Sequence, residues 1–165
     1  MADSPALPQA DPTDIGRIIF LEAEAVRRFV GLLRAENQAL SDDDTDRLPT
    51  LAAEKEELAV HLKQLTEQRD AELRLLGHTA DSKGVIKWCA EHPAEVGVGD
   101  AWAAILADAR EAKELNALNG ELIKARIDHS AKALEILRHG DDPLELYGPD
   151  GQSKKHGLKR INDAA

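Results

Sequence analysis

Between Thr50 and Leu76 the chain carries neither glycine nor proline, and Leu48, Leu51, Leu58, Leu62, Leu65 and Leu76 recur there on a seven-residue a/d pattern interrupted by Lys55, Arg69 and Glu72. A seven-residue apolar repeat keeps one narrow stripe facing a neighbour, so this stretch reads as a helix that pairs along a seam. The composition agrees: Ala 26, Leu 22, Glu 15, Arg 11 and Lys 10 together make 84 of the 165 residues, as in long helices and coiled coils. With five aromatics (Phe20, Phe29, Trp88, Trp102 and Tyr147), a broad core built on large rings is not expected, and a thin aliphatic seam between helices fits better.

Two further helices flank this one. From Ile15 the apolar residues Ile15, Ile19, Val26, Phe29, Leu33 and Leu40 alternate four then three apart, with Glu22 and Glu36 taking polar turns on the same face. That predicts a first helix ending near Leu40. The run SDDDTD from Ser41 is expected to supply N-cap and first-turn acids to the second helix, which starts within 46 to 49 because Pro49 is tolerated only in a first turn. Gly77 then reads as its C′ residue, and residues 77 to 99, with four glycines and Pro93, form a connector holding one short helix over Ser82 to Glu91. A third long helix is expected after Asp100 as N-cap and runs to His139. The fold class is all-α: an antiparallel bundle or coiled coil of three long helices spanning 15–139, with the short connector helix between the second and third. Residues 1–14 carry Pro5, Pro8 and Pro12 and read as a disordered extension; residues 140–165 carry two prolines and four glycines and read as a flexible interaction tail.

Charge removes several functions. The chain carries 21 basic and 31 acidic residues, net −10 with a pI near 5.0, which argues against nucleic acid or an anionic membrane surface as partner. No apolar run approaches the roughly 18 residues of a membrane span, the N-terminus lacks a signal peptide's basic and apolar regions, and Cys89 is the single cysteine, so a cytoplasmic location is expected. Residues 148–165 carry four bases against two acids, opposite in sign to the rest of the chain.

No catalytic or cofactor constellation emerges. Cys89 and His92 lie near His78, but structural zinc needs four ligands at regular spacing and a second pair is missing; the six histidines show no metalloprotease spacing and read as surface residues. Neither a Gly-rich phosphate loop nor a nucleophile elbow is present, so no metal, no cofactor and no enzymatic activity are expected.

The third long helix holds the most informative irregularity. Its seam reads Trp102, Ile105, Ala109, Ala112, then Asn116, Asn119 and Gly120, and resumes at Ile123, Ile127 and Leu134. A mid-helix glycine costs about 1 kcal/mol against alanine, so NALNG either fixes helix register or meets a partner. Beyond it, Leu122, Ile123, Ile127, Leu134 and Leu137 lie on adjacent turns, as an apolar strip partly open to a client helix or as intramolecular core. In the tail, Leu144, Leu146 and Tyr147 beside the turn-forming Gly148 and Gly151 place an amphipathic ring where it can anchor in a partner's pocket or fold back on the bundle.

The segment LNALNGELIKARIDHSAKALEIL from Leu115 to Leu137, followed by LYGPDGQ from Leu146 to Gln152, resembles the FlgN family of flagellar export chaperones. LLRAENQAL from Leu32 and the helix from Leu48 to Gly77 extend the resemblance to roughly residues 15 to 152. It implies a cytosolic chaperone that binds the hook-filament junction proteins FlgK and FlgL, prevents their premature assembly, and delivers them to the type III export gate. It further implies that Tyr147 takes part in docking on the gate protein FlhA. Client-contact candidates are then Asn116, Asn119, Gly120, Leu122, Ile123, Ile127, Leu134 and Leu137, and gate-contact candidates Leu144, Leu146, Tyr147, Gly148 and Gly151. The competing reading is a structural coiled coil or adaptor that self-associates without export clients.

Overall fold

The computed structural model describes residues 14–139, and the four elements among them are all helices: α1 (Asp14–Ser41), α2 (Leu48–Leu75), α3 (Ser82–Glu91) and α4 (Val98–His139). The chain divides after Ala125 into two units, so the bundle of α1, α2, α3 and the first part of α4 is described by itself.

Local chemistry sets the helix ends. Pro49 stands in the first turn of α2, where its missing N–H has no intrahelical partner to lose. The acids of SDDDTD do not cap α2 as the sequence suggested: its N-cap position is Arg47, without a side-chain cap, and its first turn holds no acid. Asp42, Asp43, Asp44 and Asp46 instead lie in the turn between the helices, with Asp43 at φ 63°. At its other end the Gly77 N–H reaches the Arg74 carbonyl at 3.0 Å and the His78 N–H the Leu73 carbonyl at 2.8 Å, with Gly77 at φ +77°. This is the paired hydrogen-bond pattern that closes a helix on a left-handed C′ glycine. Asp81 caps α3 by accepting the Gly84 N–H at 2.9 Å and the Thr79 hydroxyl at 2.7 Å. A Cβ on Gly84 would stand 1.8 Å from the Thr79 carbonyl oxygen, so that tight entry requires glycine. The long helix begins at Val98 rather than after Asp100, which lies inside its first turn and there favours the positive end of the helix dipole.

The larger apolar cluster seals one end of the bundle. Ile15, Ile19 and Ala23 of α1, Leu73 of α2, Val85 and Trp88 of α3, and Val98, Trp102 and Ile105 of α4 are buried together. The connector is therefore a structural plug: it brings one of the two tryptophans into a core that aliphatic stripes alone would leave thin. A second cluster, Ile18, Ala25, Leu58 and Leu65, zips α1 to α2 along the heptad stripe.

Two buried polar layers bind all three long helices. In the first, the Arg69 guanidinium of α2 donates to both Glu22 carboxylate oxygens of α1 at 2.6 Å, while the Thr66 hydroxyl donates to Glu22 at 2.9 Å. The same guanidinium lies 4.9 Å from the Trp102 ring centroid of α4 and donates to Asp70 at 2.9 Å. In the second, Glu36 of α1 accepts from Lys55 of α2 at 2.6 Å and from the Asn119 amide of α4 at 2.8 Å. The layers lie fourteen residues apart on α1, two full heptads or about 21 Å. Every polar interruption that forms them is satisfied across the helices, as a buried charge must be to be tolerated.

Candidate functional site

Within the bundle α4 turns two different faces. Asn119 is 1% exposed, and its amide donates to the Leu33 carbonyl at 2.9 Å and to Glu36, while its oxygen accepts from the Asn37 amide at 2.9 Å. All its hydrogen-bonding groups are thus engaged with α1, and Arg34 of α1 pairs with Glu111 of α4 on the same flank. Asn119 is the register residue of this helix in the present structure, and a buried amide of this kind penalises any slip by leaving groups unpaired.

The seam on α4 follows the apolar spacing at Trp102, Ile105, Ala112 and Asn119 and departs from it at Ala109, Asn116 and Gly120. Trp102 and Ile105 are buried, but Ala109 and Asn116 are exposed, and the line facing α1 passes through half-buried Ala112 and Leu115, buried Asn119 and half-buried Leu122. The reason is periodic: a stripe stepping 112, 115, 119 and 122 stays on one side of the helix, whereas 116, 120 and 123 lie about 90° away at 100° per residue. Of the client candidates in this unit, Asn119 and Leu122 therefore belong to the α1 side, and Asn116, Gly120 and Ile123 to the open side. A Cβ on Gly120 would meet no atom within 4 Å, so no close approach within the bundle requires that glycine.

The second unit holds the remaining helical candidates. Ile127, Leu134 and Leu137 are 63%, 61% and 71% exposed, and Ile136 is exposed as well. Ile127 and Leu134 are two turns apart on one side of the helix with Leu137 beside them, and Ile136 lies on the opposite side. The candidates Leu144, Leu146, Tyr147, Gly148 and Gly151 lie outside the described residues.

Two groups that spacing left as surface residues or bystanders are built into the plug. The His78 side chain is 6% exposed and meets Glu91 at 3.3 Å, and His92 stacks on Trp88 with centroids 4.6 Å apart. Partial burial pushes the Cys89 thiol above its usual range. Nothing in the sequence pattern around His78 announced its burial, because it follows from the turn after Gly77 folding back under α3.

Comparison with known proteins places this arrangement. The model of the FlgN protein family matches residues 17–155, which takes in the three long helices and the LYGPDGQ motif. The chain belongs to the FlgN family. Among curated relatives it is 26% identical over 152 residues to the flagella synthesis protein FlgN of Proteus mirabilis, covering 86% of this chain and 91% of that one. It is 28% identical over 125 residues to the flagella synthesis protein FlgN of Salmonella typhimurium, covering 71% of this chain and 88% of the relative. No solved structure matches. FlgN proteins are flagellar synthesis proteins and not a family of enzymes, and in this member no helix among the described residues is long and apolar enough to cross a membrane.

Proposed function

We propose that this FlgN-family protein is a cytoplasmic export chaperone whose α4 binds the hook-filament junction proteins FlgK and FlgL, keeps them from assembling early, and hands them to the flagellar type III export gate. The observation that carries the reading is the exposure of Ile127, Leu134 and Leu137 together along the C-terminal part of α4, where the exposed apolar side chains of the other helices are scattered. An amphipathic helix of a client laid along that stripe would bury the surfaces both partners otherwise show to water, giving the client's assembly segment a temporary mate. Because the contact runs along one helix, it can be released from one end.

Gate docking belongs to the tail in this reading. Leu144, Leu146 and Tyr147, framed by Gly148 and Gly151, lie within the stretch that the family model matches, and an aromatic with a polar tip is suited to anchoring in a pocket of FlhA. Affinity purification of the full chain from its flagellated host, with FlgK and FlgL then tested as purified partners by calorimetry, examines the client assignment. Binding of either one that Ile127→Asp abolishes is the expected result. Absence of binding to both removes the chaperone assignment and leaves the self-associating adaptor.

A further inference from the structure

The part of α4 beyond Ala125 arranges its charges around its apolar stripe in one particular way. Ile127, Ser130, Leu134 and Leu137 follow one another at steps of three, four and three, the spacing with which one helix packs along another, and all four are exposed. At 100° per residue the positions bordering that line are Arg126 and Ala133 on one side and Ala131 and Arg138 on the other. The two arginines stand about 60° from the centre of the line and the two alanines about 80°. Asp128, Lys132 and Glu135 lie about 120° or more from it, on the far half of the helix.

These borders restrict what can lie on the stripe. Both charged border residues are arginine, in a chain whose net charge is −10, and the acids of this segment are kept off the border altogether. Arg126 is half-buried; Arg138 is exposed and makes no hydrogen bond or ion pair among the described residues, so a carboxylate brought to it displaces only water. The alanines leave room for a second helix axis to approach to about 8 to 10 Å. Along the axis the arginines are twelve residues apart, about 18 Å, at diagonal corners of the stripe. A second copy of the stripe does not complement it, since that copy brings two more arginines and no carboxylate on its borders.

We infer that the stripe selects its partner by charge: the occupant is an amphipathic helix whose apolar seam carries a carboxylate on each flank, about 18 Å apart along the axis, to meet Arg126 and Arg138. The inference rests on the client reading proposed above and deepens it. Burial of the seam supplies affinity, and the arginines choose among the many amphipathic helices that could bury it. Arginine suits that task because its planar fork takes a carboxylate through two parallel hydrogen bonds.

Two synthetic helices of about 25 residues, long enough to be helical alone, test it when they share one leucine seam and differ only in carrying Glu or Lys on both flanks. Fluorescence anisotropy with the full chain compares them. Long-range attraction to a chain of net charge −10 favours the Lys-flanked helix, so the opposite order reads the borders of the stripe. The Glu-flanked helix should bind about tenfold more tightly or better at low salt, and the gap should narrow at about 0.5 M salt. Arg138→Glu should shrink the preference, and Arg126→Glu with Arg138→Glu should reverse it. Because Arg138 is exposed, the circular dichroism of its single variant should match that of the unaltered chain. Equal binding of the two helices, binding of neither, or a preference unchanged in Arg138→Glu would each overturn the inference.

Purified FlgK and FlgL separate it from the reading on which it rests. Whichever of them binds the unaltered chain should bind Arg138→Glu about tenfold more weakly. Retained affinity there overturns the charge selection and leaves the client assignment standing. If neither binds while the Glu-flanked helix is still preferred, the client assignment fails and the charge selection stands.

Discussion

The chain up to Ala125 and the helix beyond it place their polar and apolar side chains in opposite senses. In the first unit Glu22, Glu36, Arg69 and Asn119 are buried in cross-helix layers, and exposed apolar side chains such as Val60, Leu75 and Ile86 are scattered over different helices; in the second, Ile127, Leu134, Ile136 and Leu137 stand open on one helix. The difference teaches how one helical sequence can serve two ends. A seam that must close once and in one register benefits from interior polar groups, because each slip strands a charge or an amide; a surface that must accept and release a partner benefits from apolar side chains that register does not fix.

The largest effect should come from breaking the first polar layer. Arg69→Ala leaves the buried Glu22 carboxylate with only Thr66 as donor, a loss of about 3 to 5 kcal/mol in unfolding free energy. Chemical denaturation measures it. Replacing both partners, Glu22→Leu with Arg69→Met, should recover most of that loss, since no unpaired charge remains. If the single and double variants are equally unstable, the layer is held by packing and not by its charges.

The second layer should yield less. Asn119→Leu removes three hydrogen bonds to α1 and leaves the Leu33 carbonyl and the Asn37 amide without their partner, a cost of about 1 to 3 kcal/mol. The Glu36–Lys55 pair survives it. Amide hydrogen exchange should show the loss confined to the α1–α4 seam, with α1 and α2 still protected where Leu58 and Leu65 pack.

How much of this could be read in advance depended on whether the controlling interaction was local. The three long helices, the short one at Ser82–Glu91 and the closing role of Gly77 follow from periodicity and from the chemistry of glycine and proline, which act within a few residues. The interruptions at Glu22, Glu36, Lys55, Arg69 and Asn119 were visible as breaks in apolar stripes, but their pairing was not, since partners lie 19 to 83 residues apart in sequence. The face of α4 was misplaced for a related reason. Asn119 was on the expected line, but Ala109 and Asn116 continue the same spacing, and only the position of α1 decides that Leu115 and Leu122 turn inward in their place. The burial of His78 likewise depends on the assembled helices.

A smaller effect should appear at the plug. The Thr79 hydroxyl and then the Gly84 N–H hold the Asp81 carboxyl below the usual carboxylate range. A carboxyl whose pKa is depressed in the folded state contributes stability that is present above its unfolded pKa and is lost as pH falls through the folded value. Asp81→Ala should therefore lower the melting temperature at neutral pH and make little difference in acid, while Asp81→Asn, also a good N-cap, should keep much of the cap at both. A melting difference between Asp81→Ala and the unaltered chain that is the same in acid as at neutral pH would show that the carboxylate's charge plays no part in the cap.

The smallest effect on stability, and the one that most sharpens the contrast between the two units, is expected on the α4 stripe. Ile127 and Leu134 are more than half exposed, so replacing both with Asp removes little buried area, and surface changes of this kind stay within about 0.5 kcal/mol each. Ile123, at 41% exposed in the first unit, should lose somewhat more as Asp. Leu33→Ala, at a position 0% exposed, is the control and should lose about 2 to 5 kcal/mol. Client capture should reverse that order: the Ile127→Asp, Leu134→Asp chain keeps its melting temperature and fails to bind FlgK or FlgL, while Leu33→Ala melts early yet binds in proportion to its folded fraction. If the double Asp variant unfolds instead, those side chains are covered within the chain itself, and the stripe is core that another part of the protein closes.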